Sequence, residues 1–287
     1  MVATGSYTGD GIDNRAIGGV GFQPDVVIIK GAANGRRTVA RSSTMTGDQT
    51  KPLASVLPLV TDRIQSLDLD GFTIGTHAAV NTSGGTYHWV ALKAAAGQLQ
   101  VGSYTGNGTS QPITGIGFSP EYVVILGSYA DNAIQRSATM TTPYRFDDPA
   151  AGANSLNSLD ADGFTVGSHA QVNSSGITYH YIAWNVVPGV VAAGSYNGDG
   201  LDDRSITGVG FLPEYVIVKA DADGASCHRG VHRPSSIATD STLNFTIGAN
   251  FANGIQTLEA DGFQVGTDCT VNTGGTTYHY LALKDSP

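Results

Sequence analysis

Three histidines recur at one position of a repeated segment in this sequence. Each follows Thr-Tyr and precedes an aromatic residue, and the three are His88, His180 and His279. Imidazole nitrogens ligate Zn²⁺ and, when protonated, bind anions. Three imidazoles that converge on one axis could hold Zn²⁺ or Ni²⁺, whereas a histidine packed beside the core needs only hydrogen-bond partners for its ring nitrogens. The sequence leaves both alternatives open.

A second group of residues has the chemistry of a glycan site. Sandwich proteins bind sugars with loop residues, using an aromatic ring for the apolar face and amides, carboxylates or arginines for the hydroxyls. A tyrosine near the start of each repeat is followed by amide or arginine side chains, and two adjacent arginines lie in a later loop. The candidates are Tyr7, Arg15, Arg36, Arg37, Tyr104, Asn107, Tyr196, Asn197 and Arg204. The alternative for the tyrosines is a hydrophobic plug at the first strand.

Acidic residues also recur, two positions apart, near the end of each repeat. The pairs are Asp68 and Asp70, Asp160 and Asp162, and Glu259 and Asp261. Residues two apart on a strand point the same way, so a carboxylate pair could bind Ca²⁺. Asp before Gly is also what a hairpin tip selects, and the EF-hand pattern is absent from the sequence. We expect no cofactor, with Ca²⁺ and Zn²⁺ as the alternatives.

Sequence motifs of catalysis are scarce. No segment has the pattern of a nucleophile elbow, a Walker loop or a His-Glu-x-x-His helix. The Gly19-Val20-Gly21 segment is not followed by a helical pattern, which a dinucleotide site needs. Serine, histidine and aspartate are plentiful, but their presence alone does not indicate a triad. The sequence therefore predicts a protein that is not an enzyme.

The elements that carry these residues come in three copies. Gly-Ser-Tyr, Gly-Phe-x-Pro, Asp-Gly-Phe and Val-Asn recur in the same order, and each copy closes with the histidine segment. We expect three units of about 95 residues, at 1–97, 98–189 and 190–287, joined by linkers of a few residues. Such a unit is long enough to have its own core, as sandwiches of about 100 residues do.

Each unit has the pattern of antiparallel strands, which predicts an all-β protein of three tandem β-sandwiches. Pro24 introduces a Val/Ile run, and Asp-Gly turns join short alternating segments. In Val26-Val27-Ile28-Ile29 consecutive residues are apolar, so both faces of that strand require burial. A sandwich covers one face, and a neighbouring unit or a loop must cover the other. The units could therefore pack about a pseudo-threefold axis or form a string.

The order of these signals resembles a known type of repeat. Gly-Phe-x-Pro-x-x-Val at a strand start, then a polar loop, Asp-Gly-Phe and an aromatic closing strand resemble the tandem β-sandwich repeats of tailed-bacteriophage tail and fibre proteins. More loosely, the order is similar to the H-type lectin domain, a trimeric sandwich that binds N-acetylgalactosamine-type sugars near subunit boundaries. The resemblance implies a component of a virion or of adhesion, and it transfers no sugar-binding residue to this chain.

The composition of the chain makes nucleic acids and membranes poor candidates as partners. Charged residues make up 14% of the chain, with 15 Lys and Arg against 24 Asp and Glu and a net charge of −9. Such a chain lacks the basic footprint of a nucleic-acid binder, and no window has the roughly 18 apolar residues of a membrane span. The first residues have no signal-peptide pattern. We therefore expect neither nucleic-acid binding nor membrane insertion, and a location on a virion or an extracellular surface.

Two cysteines stand in the third repeat. Cys227 lies in the variable middle loop, and Cys269 lies where the other repeats have Ala78 and Ala170. The simplest interpretation is two free thiols, with a disulfide inside the repeat as the alternative.

The expected function is structural and adhesive. We expect a non-enzymatic protein of a phage particle or microbial surface, whose partners are other virion or surface subunits and a cell-surface glycan or receptor. The competing interpretations are a carbohydrate-active enzyme or its binding module, and a purely structural spacer or decoration protein.

Overall fold

Each of the three repeats folds as a sandwich of a five-stranded and a three-stranded antiparallel sheet. The structure is a computed structural model that describes residues 1–32, 35–147, 150–221 and 226–285. In repeat 1 the larger sheet has the order β1 (Val2–Thr8), β8 (Thr86–Leu92), β3 (Val26–Gly31), β4 (Val39–Ser42) and β5 (Lys51–Pro52). The smaller sheet has the order β2 (Arg15–Gly18), β7 (Gly71–Ile74) and β6 (Ile64–Asp68).

Repeats 2 and 3 have the same strand order. Repeat 2 contains β9 (Leu99–Thr105), β16 (Thr178–Trp184), β11 (Tyr122–Gly127), β12 (Ile134–Ser137) and β13 (Tyr144–Arg145), with β10 (Gln111–Thr114), β15 (Gly163–Val166) and β14 (Leu156–Asp160) in the smaller sheet. Repeat 3 contains β17 (Val191–Asn197), β24 (Thr277–Leu283), β19 (Tyr215–Ala220), β20 (Val231–Pro234) and β21 (Leu243–Asn244), with β18 (Arg204–Ile206), β23 (Gly262–Val265) and β22 (Ile255–Glu259). The all-β prediction of three tandem sandwiches is confirmed.

Among the described residues, helical structure is limited to single turns. The α1 helix (Ala170–Asn173) and the α2 helix (Cys269–Asn272) precede the closing strands of repeats 2 and 3, and a 3₁₀ turn covers Ser226–His228. His169 and Asp268 cap the two helices, because each side chain accepts a hydrogen bond from a backbone N–H of the first turn. In the described part of the chain, no helix has the length and apolar composition needed to cross a membrane.

The apolar runs of the central strands are buried on both faces. Along β3, Val27 and Ile29 pack into the sandwich of repeat 1, while Val26 and Ile28 join a cluster that also contains residues of repeats 2 and 3. Successive side chains of a strand point to opposite faces, so one strand contributes to two cores. The neighbouring repeats, together with loop residues of repeat 1 such as Met45 and Leu53, therefore cover the outer face of β3.

The repeats close into a ring around a pseudo-threefold axis. Equivalent backbone bonds join each repeat to the next: Ala133 N–H donates to Leu53 O, Gly230 N–H to Phe146 O, and Thr38 N–H to Phe245 O, all at 3.0 Å. The acceptors occupy equivalent positions after the fifth strand of each larger sheet. All three belong to the shared core, where the rings of Phe146 and Phe245 lie 4.5 Å apart.

The two chain ends meet where the ring closes. Val2 N–H donates to Asp285 Oδ1 at 2.9 Å, and Thr4 Oγ1 lies 2.7 Å from Ser235 Oγ. The connections between repeats are tight turns, in which Ala95 pairs with Leu99 and Val187 pairs with Val191. The third boundary thus forms between the first and last repeats without a covalent linker.

The cysteines form a disulfide, so the prediction of free thiols is wrong. Cys227 and Cys269 have Cα atoms 5.1 Å apart and a bonded Sγ pair. Cys227 belongs to the 3₁₀ turn before β20, and Cys269 begins α2, which packs beside that turn. The middle loop therefore folds back onto the segment that precedes the closing strand, a proximity that sequence separation conceals.

The disulfide gives a test of repeat 3. Changing both Cys227→Ala and Cys269→Ala copies repeat 2, where Ala130 and Ala170 stand at the corresponding positions. The bond closes a segment with a sequence separation of 42, and its loss should reduce the free energy of unfolding by about 2–4 kcal/mol. Guanidinium unfolding followed by fluorescence measures this difference. An unchanged midpoint, relative to the oxidised wild type, would contradict a stabilising role.

Candidate functional site

The three histidines lie at the three boundaries between repeats rather than around one metal ion. His180 Nδ1 is 2.7 Å from the hydroxyl of Thr44 in repeat 1, and His279 Nδ1 is 2.8 Å from the hydroxyl of Thr139 in repeat 2. His88 Nδ1 is 3.4 Å from the hydroxyl of Ser236 in repeat 3, which completes the cycle.

The geometry does not support the hypothesis of a three-histidine metal site. Each imidazole is engaged with a different repeat, and the described residues contain no group of three or more His, Cys, Asp or Glu side chains arranged to hold a metal ion. The pattern of one histidine per repeat follows from the pseudo-threefold ring, because equivalent positions make equivalent contacts.

Burial keeps these histidines neutral. It lowers the pKa of all three, with Arg233 adding to the effect at His88 and Arg41 at His180. The pKa of His180 falls to about 4. At His279 the nearby Asp221 carboxylate, 3.3 Å from Nε2, opposes the shift. A neutral imidazole can both donate and accept, as a hydroxyl contact requires.

A buried lysine occupies each boundary. Lys51 Nζ donates to three carbonyl oxygens, those of Leu57 at 2.8 Å, Tyr129 at 3.1 Å and Asp131 at 2.6 Å, the last two in repeat 2. Lys30 Nζ donates to the carbonyl of Arg36 in repeat 1 and to those of Thr246 and Gly248 in repeat 3. Lys219 Nζ lies 4.5 Å from the centre of the Tyr144 ring, across the boundary between repeats 2 and 3.

The three lysines occupy two different positions of the repeat. Lys30 and Lys219 are equivalent residues of β3 and β19, where repeat 2 has Leu126, whereas Lys51 lies on β5. The residues equivalent to Lys51 are Tyr144 and Leu243. Each boundary therefore combines one lysine with one apolar or aromatic residue at this pair of positions. We interpret this as a limit of one ammonium per boundary, because each buried charge needs its own set of acceptors.

The tyrosines proposed for sugar binding have their hydroxyls engaged. Tyr7, Tyr104 and Tyr196 donate to the carbonyls of Val80, Val172 and Val271 at 2.7–2.8 Å. Each ring stacks on the tyrosine of the closing strand, with centroids 5.3–5.4 Å apart. In repeats 1 and 3 an arginine guanidinium lies over the same ring. The ring faces in those two repeats are therefore occupied by protein groups.

The polar residues beside the tyrosines brace the same loops. Arg15 Nε is 3.3 Å from Asp10, and Arg204 Nε is 3.2 Å from Asp199. The Asn107 side chain accepts from Thr109 N–H at 2.8 Å, and the Asn197 side chain accepts from the hydroxyl of Thr277 at 3.0 Å. Repeat 2 has Gln111 in place of the arginine. These contacts fit a structural role for the loop.

Three buried asparagines, which the sequence analysis did not select as functional residues, hold those loops in place. Asn81 Oδ1 accepts from Asp10 N–H at 2.9 Å, and its Nδ2 donates to Ile12 O at 2.8 Å and Gly75 O at 3.0 Å. Asn173 and Asn272 occupy equivalent positions and bond to the corresponding loops. The recurrence of Val-Asn in all repeats was the available signal.

The recurrent carboxylates also serve turns. Asp70 accepts from Gly19 N–H at 3.2 Å and from Gly21 N–H at 2.6 Å. These bonds join the turn between β6 and β7 to the Gly-Phe-x-Pro loop. Asp162 and Asp261 make the same pair of bonds in their repeats. Backbone donors lower the pKa of Asp261. The acidic pairs are therefore anchors of loop geometry.

A cleft at the side of the sandwich recurs in repeats 1 and 3. We call it the side cleft; it opens between the start of the third strand, the end of the fourth and the edge of the smaller sheet. Its volume is about 340 Å³ in repeat 1 and about 430 Å³ in repeat 3. The equivalent lining residues are Pro24, Asp25, Arg41, Ser43, Ser66 and Leu67 in repeat 1, and Pro213, Glu214, Arg233, Ser235, Thr257 and Leu258 in repeat 3.

The arginines of the side cleft are fixed by backbone carbonyls. Arg41 donates to Gln49 O and Gly47 O, both at 2.6 Å, and Arg233 donates to Ser241 O at 2.6 Å and Ile237 O at 3.0 Å. Among the described residues neither Nε–H finds an acceptor, although both are buried. The carboxylates are partly engaged, since Asp25 accepts from Ala94 N–H at 2.9 Å. Burial raises the pKa of Glu214.

Arg36 and Arg37 line a smaller pocket whose lining includes neither Tyr7 nor Arg15. The pocket has a volume of about 180 Å³, and Arg63, His77 and Ile247 of repeat 3 also line it. Arg37 Nε donates to Ala54 O at 2.6 Å. The candidate ligand-binding residues therefore lie in the tyrosine loops of the three repeats and in this pocket.

The histidines predict acid sensitivity of the ring. The folded chain holds the pKa of His180 near 4, whereas an unfolded histidine titrates near 6.5, so the unfolded state takes up a proton first as pH falls. Stability should therefore decline between about pH 6.5 and pH 4. His180→Gln keeps a hydrogen-bonding side chain without titrating and should flatten the dependence of Tm on pH over this range. Parallel curves for the two proteins would contradict the assignment.

Lys51 predicts a second rise of stability with pH, at alkaline pH. Burial lowers the pKa of Lys51 to about 8, below the usual 10.4 of an unfolded lysine, so stability should rise from pH 7 to pH 9.5 by about 2 kcal/mol through this group. Lys51→Leu copies the residue of repeat 3 and removes the titration. Urea unfolding at both pH values measures the difference, and an equal rise in the two proteins would contradict it. Lys30→Leu, which copies Leu126, provides a second variant.

Comparison with known proteins identifies no relative. No family model, no curated protein and no solved structure matches this chain. The similarity to phage tail repeats and to H-type lectins therefore stays a prediction from sequence motifs.

Proposed function

We propose that this chain is a non-enzymatic structural and adhesion protein of a phage particle or microbial surface, which contacts a glycan or receptor through its side clefts. The observation that carries the proposal is the recurrence of one cleft, with the same residue types, in repeats 1 and 3. A repeated cleft on a rigid ring gives multivalent contact, in which several weak sites act together.

The side cleft has the chemistry of a neutral sugar site. A carboxylate, Asp25 or Glu214, can accept hydrogen bonds from sugar hydroxyls, and serine or threonine hydroxyls can donate or accept. Leu67 and Leu258, with the adjacent prolines, provide an apolar wall for the sugar ring. In repeat 3, Leu212 stands where repeat 1 has Gln23, so the larger cleft is also the more apolar one.

Two further features support a role outside a cell. The disulfide of repeat 3 suits an oxidising environment. The ring closes through backbone hydrogen bonds and a shared apolar core, which gives a single chain the form of a trimer. A trimer-like subunit fits assembly with other virion or surface subunits, which are the proposed partners together with the glycan.

A glycan array with the purified chain tests the adhesive half of this proposal. Wild type should bind a defined set of neutral glycans. The double change Glu214→Gln and Thr257→Ala should weaken binding by repeat 3 about tenfold, because a hydrogen bond to a charged group is lost. Asp202→Asn, an exposed carboxylate outside the cleft, is the matched control and should bind as wild type does.

The outcomes separate the competing functions. Equal binding by the double variant would exclude the side cleft of repeat 3 as the site. Absence of any bound glycan or receptor, with the chain located on particles by immunogold labelling, would favour a structural spacer or decoration protein. Turnover of a polysaccharide would instead favour a carbohydrate-active enzyme.

A further inference from the structure

The small pocket on repeat 1 differs in charge from the rest of the molecule. Arg36, Arg37, Arg63 and His77 all line it, in a chain whose net charge is −9, and no carboxylate is among its lining residues. We call it the arginine pocket. Two carboxylates outside the lining, Asp62 and Asp48, act on Arg63. The two carboxylate oxygens of Asp62 accept from Thr76 N–H at 2.7 Å and from the Thr76 hydroxyl at 2.8 Å.

Two N–H donors approach the ring nitrogens of His77 in this pocket. Ala79 N–H lies 3.0 Å from Nδ1, and Arg63 Nη2 lies 3.0 Å from Nε2. A neutral imidazole accepts at one nitrogen and carries its proton on the other, so it cannot accept from both donors. An oxyanion that accepts from Arg63 and from the imidazole N–H would supply the missing acceptor. Arg63 is held in this position by a bond from Nη1 to Thr61 O at 2.8 Å.

The other two repeats have different side chains at the corresponding positions. At the position of Ala79, repeat 2 has Gln171, which accepts from Gly152 N–H and donates to Asp131 Oδ1, both at 3.0 Å. Repeat 3 has Thr270 there, next to the disulfide. At the position of Arg63 they have Ser155 and Gly254. Repeat 1 therefore departs from its copies at the residues that open the pocket and make it basic.

The rim of the pocket is apolar. Leu57 is 44% exposed and Ile247, from repeat 3, is 57% exposed, and Pro52 also lines the pocket. A volume of about 180 Å³ accommodates one anionic group and part of a ring. Basic groups beside apolar side chains suit a ligand that carries an oxyanion on a ring with a hydrophobic face.

We propose that the arginine pocket binds the carboxylate or sulfate group of an acidic saccharide. The inference rests on the proposed glycan contact and names a substrate class for a second site, distinct from the side cleft. Arg63 and Arg37 would bind the oxyanion, His77 would donate from Nε2, and Leu57 with Ile247 would contact the sugar ring. Because Ile247 belongs to repeat 3, the site is complete only when the ring is closed.

Titration of the full chain with three probes tests this inference. Inorganic sulfate, glucuronic acid and glucose are added separately, and binding is followed by calorimetry and by the ¹H–¹⁵N signals of the histidine side chains. Sulfate and glucuronic acid should shift the His77 signal, with glucuronic acid binding more tightly, and glucose should leave it unchanged. Arg63→Ser, which copies repeat 2, should weaken both anions about tenfold or more.

Two further variants sharpen the test. Ala79→Gln fills the pocket as Gln171 fills its counterpart and should abolish binding, while the arginines stay in place. Arg145→Ser removes an equal charge from repeat 2, where Arg145 pairs with Asp147 at 2.8 Å, and should bind as wild type does. Circular dichroism and Tm identify any variant that fails to fold, and the remaining variants then decide.

The results distinguish this inference from the general proposal. Equal binding of sulfate by wild type and Arg63→Ser, or no binding by wild type, would overturn the arginine pocket whatever neutral glycans the array detects. Binding of sulfate without glucuronic acid would overturn the saccharide assignment. Binding of glucuronic acid that Ala79→Gln abolishes would support the pocket even if the side cleft binds no glycan.

Discussion

Burial of the outer face of the central strands is the constraint on which the rest of the structure depends. Val26, Val124 and Ile217, on β3, β11 and β19, point away from their own sandwiches and into one shared core. Water cannot be excluded from three such faces by a string of domains, whereas a closed ring buries all of them at once. Closure in turn places the chain ends together and defines three boundaries.

Those boundaries carry the polar features that distinguish this protein from three independent sandwiches. At each boundary a histidine contacts a hydroxyl of the preceding repeat. A buried lysine lies at each boundary as well, and its ammonium group contacts carbonyl oxygens or an aromatic ring. Buried polar groups are tolerated only when their partners are supplied, so the repeats must meet in one register. Burial removes these groups from water, and this desolvation lowers the pKa values of Lys30 and His180.

The residues that the three repeats share have different roles from the residues in which they differ. Turn anchors such as Asp70 and Asn81 are repeated because each hairpin needs the same backbone donors and acceptors satisfied. The side clefts of repeats 1 and 3 differ in polarity, and the arginine pocket of repeat 1 is lined by Ala79 and Arg63, where the other repeats have larger or uncharged residues. A fixed scaffold thus allows the surface of each copy to vary.

The local structure could be predicted from the sequence. Strand patterns, Asp-Gly turns and triple motifs specify three sandwiches because alternation and turn chemistry act over a few residues. The apolar run of β3 also indicated that this strand needs cover on both faces. The sequence did not reveal what supplies that cover, that Cys227 bonds to Cys269, or that Arg63 and His77 form a pocket with Ile247 of another repeat. These contacts join residues far apart in the chain, and no local pattern encodes which distant surfaces meet when the ring closes.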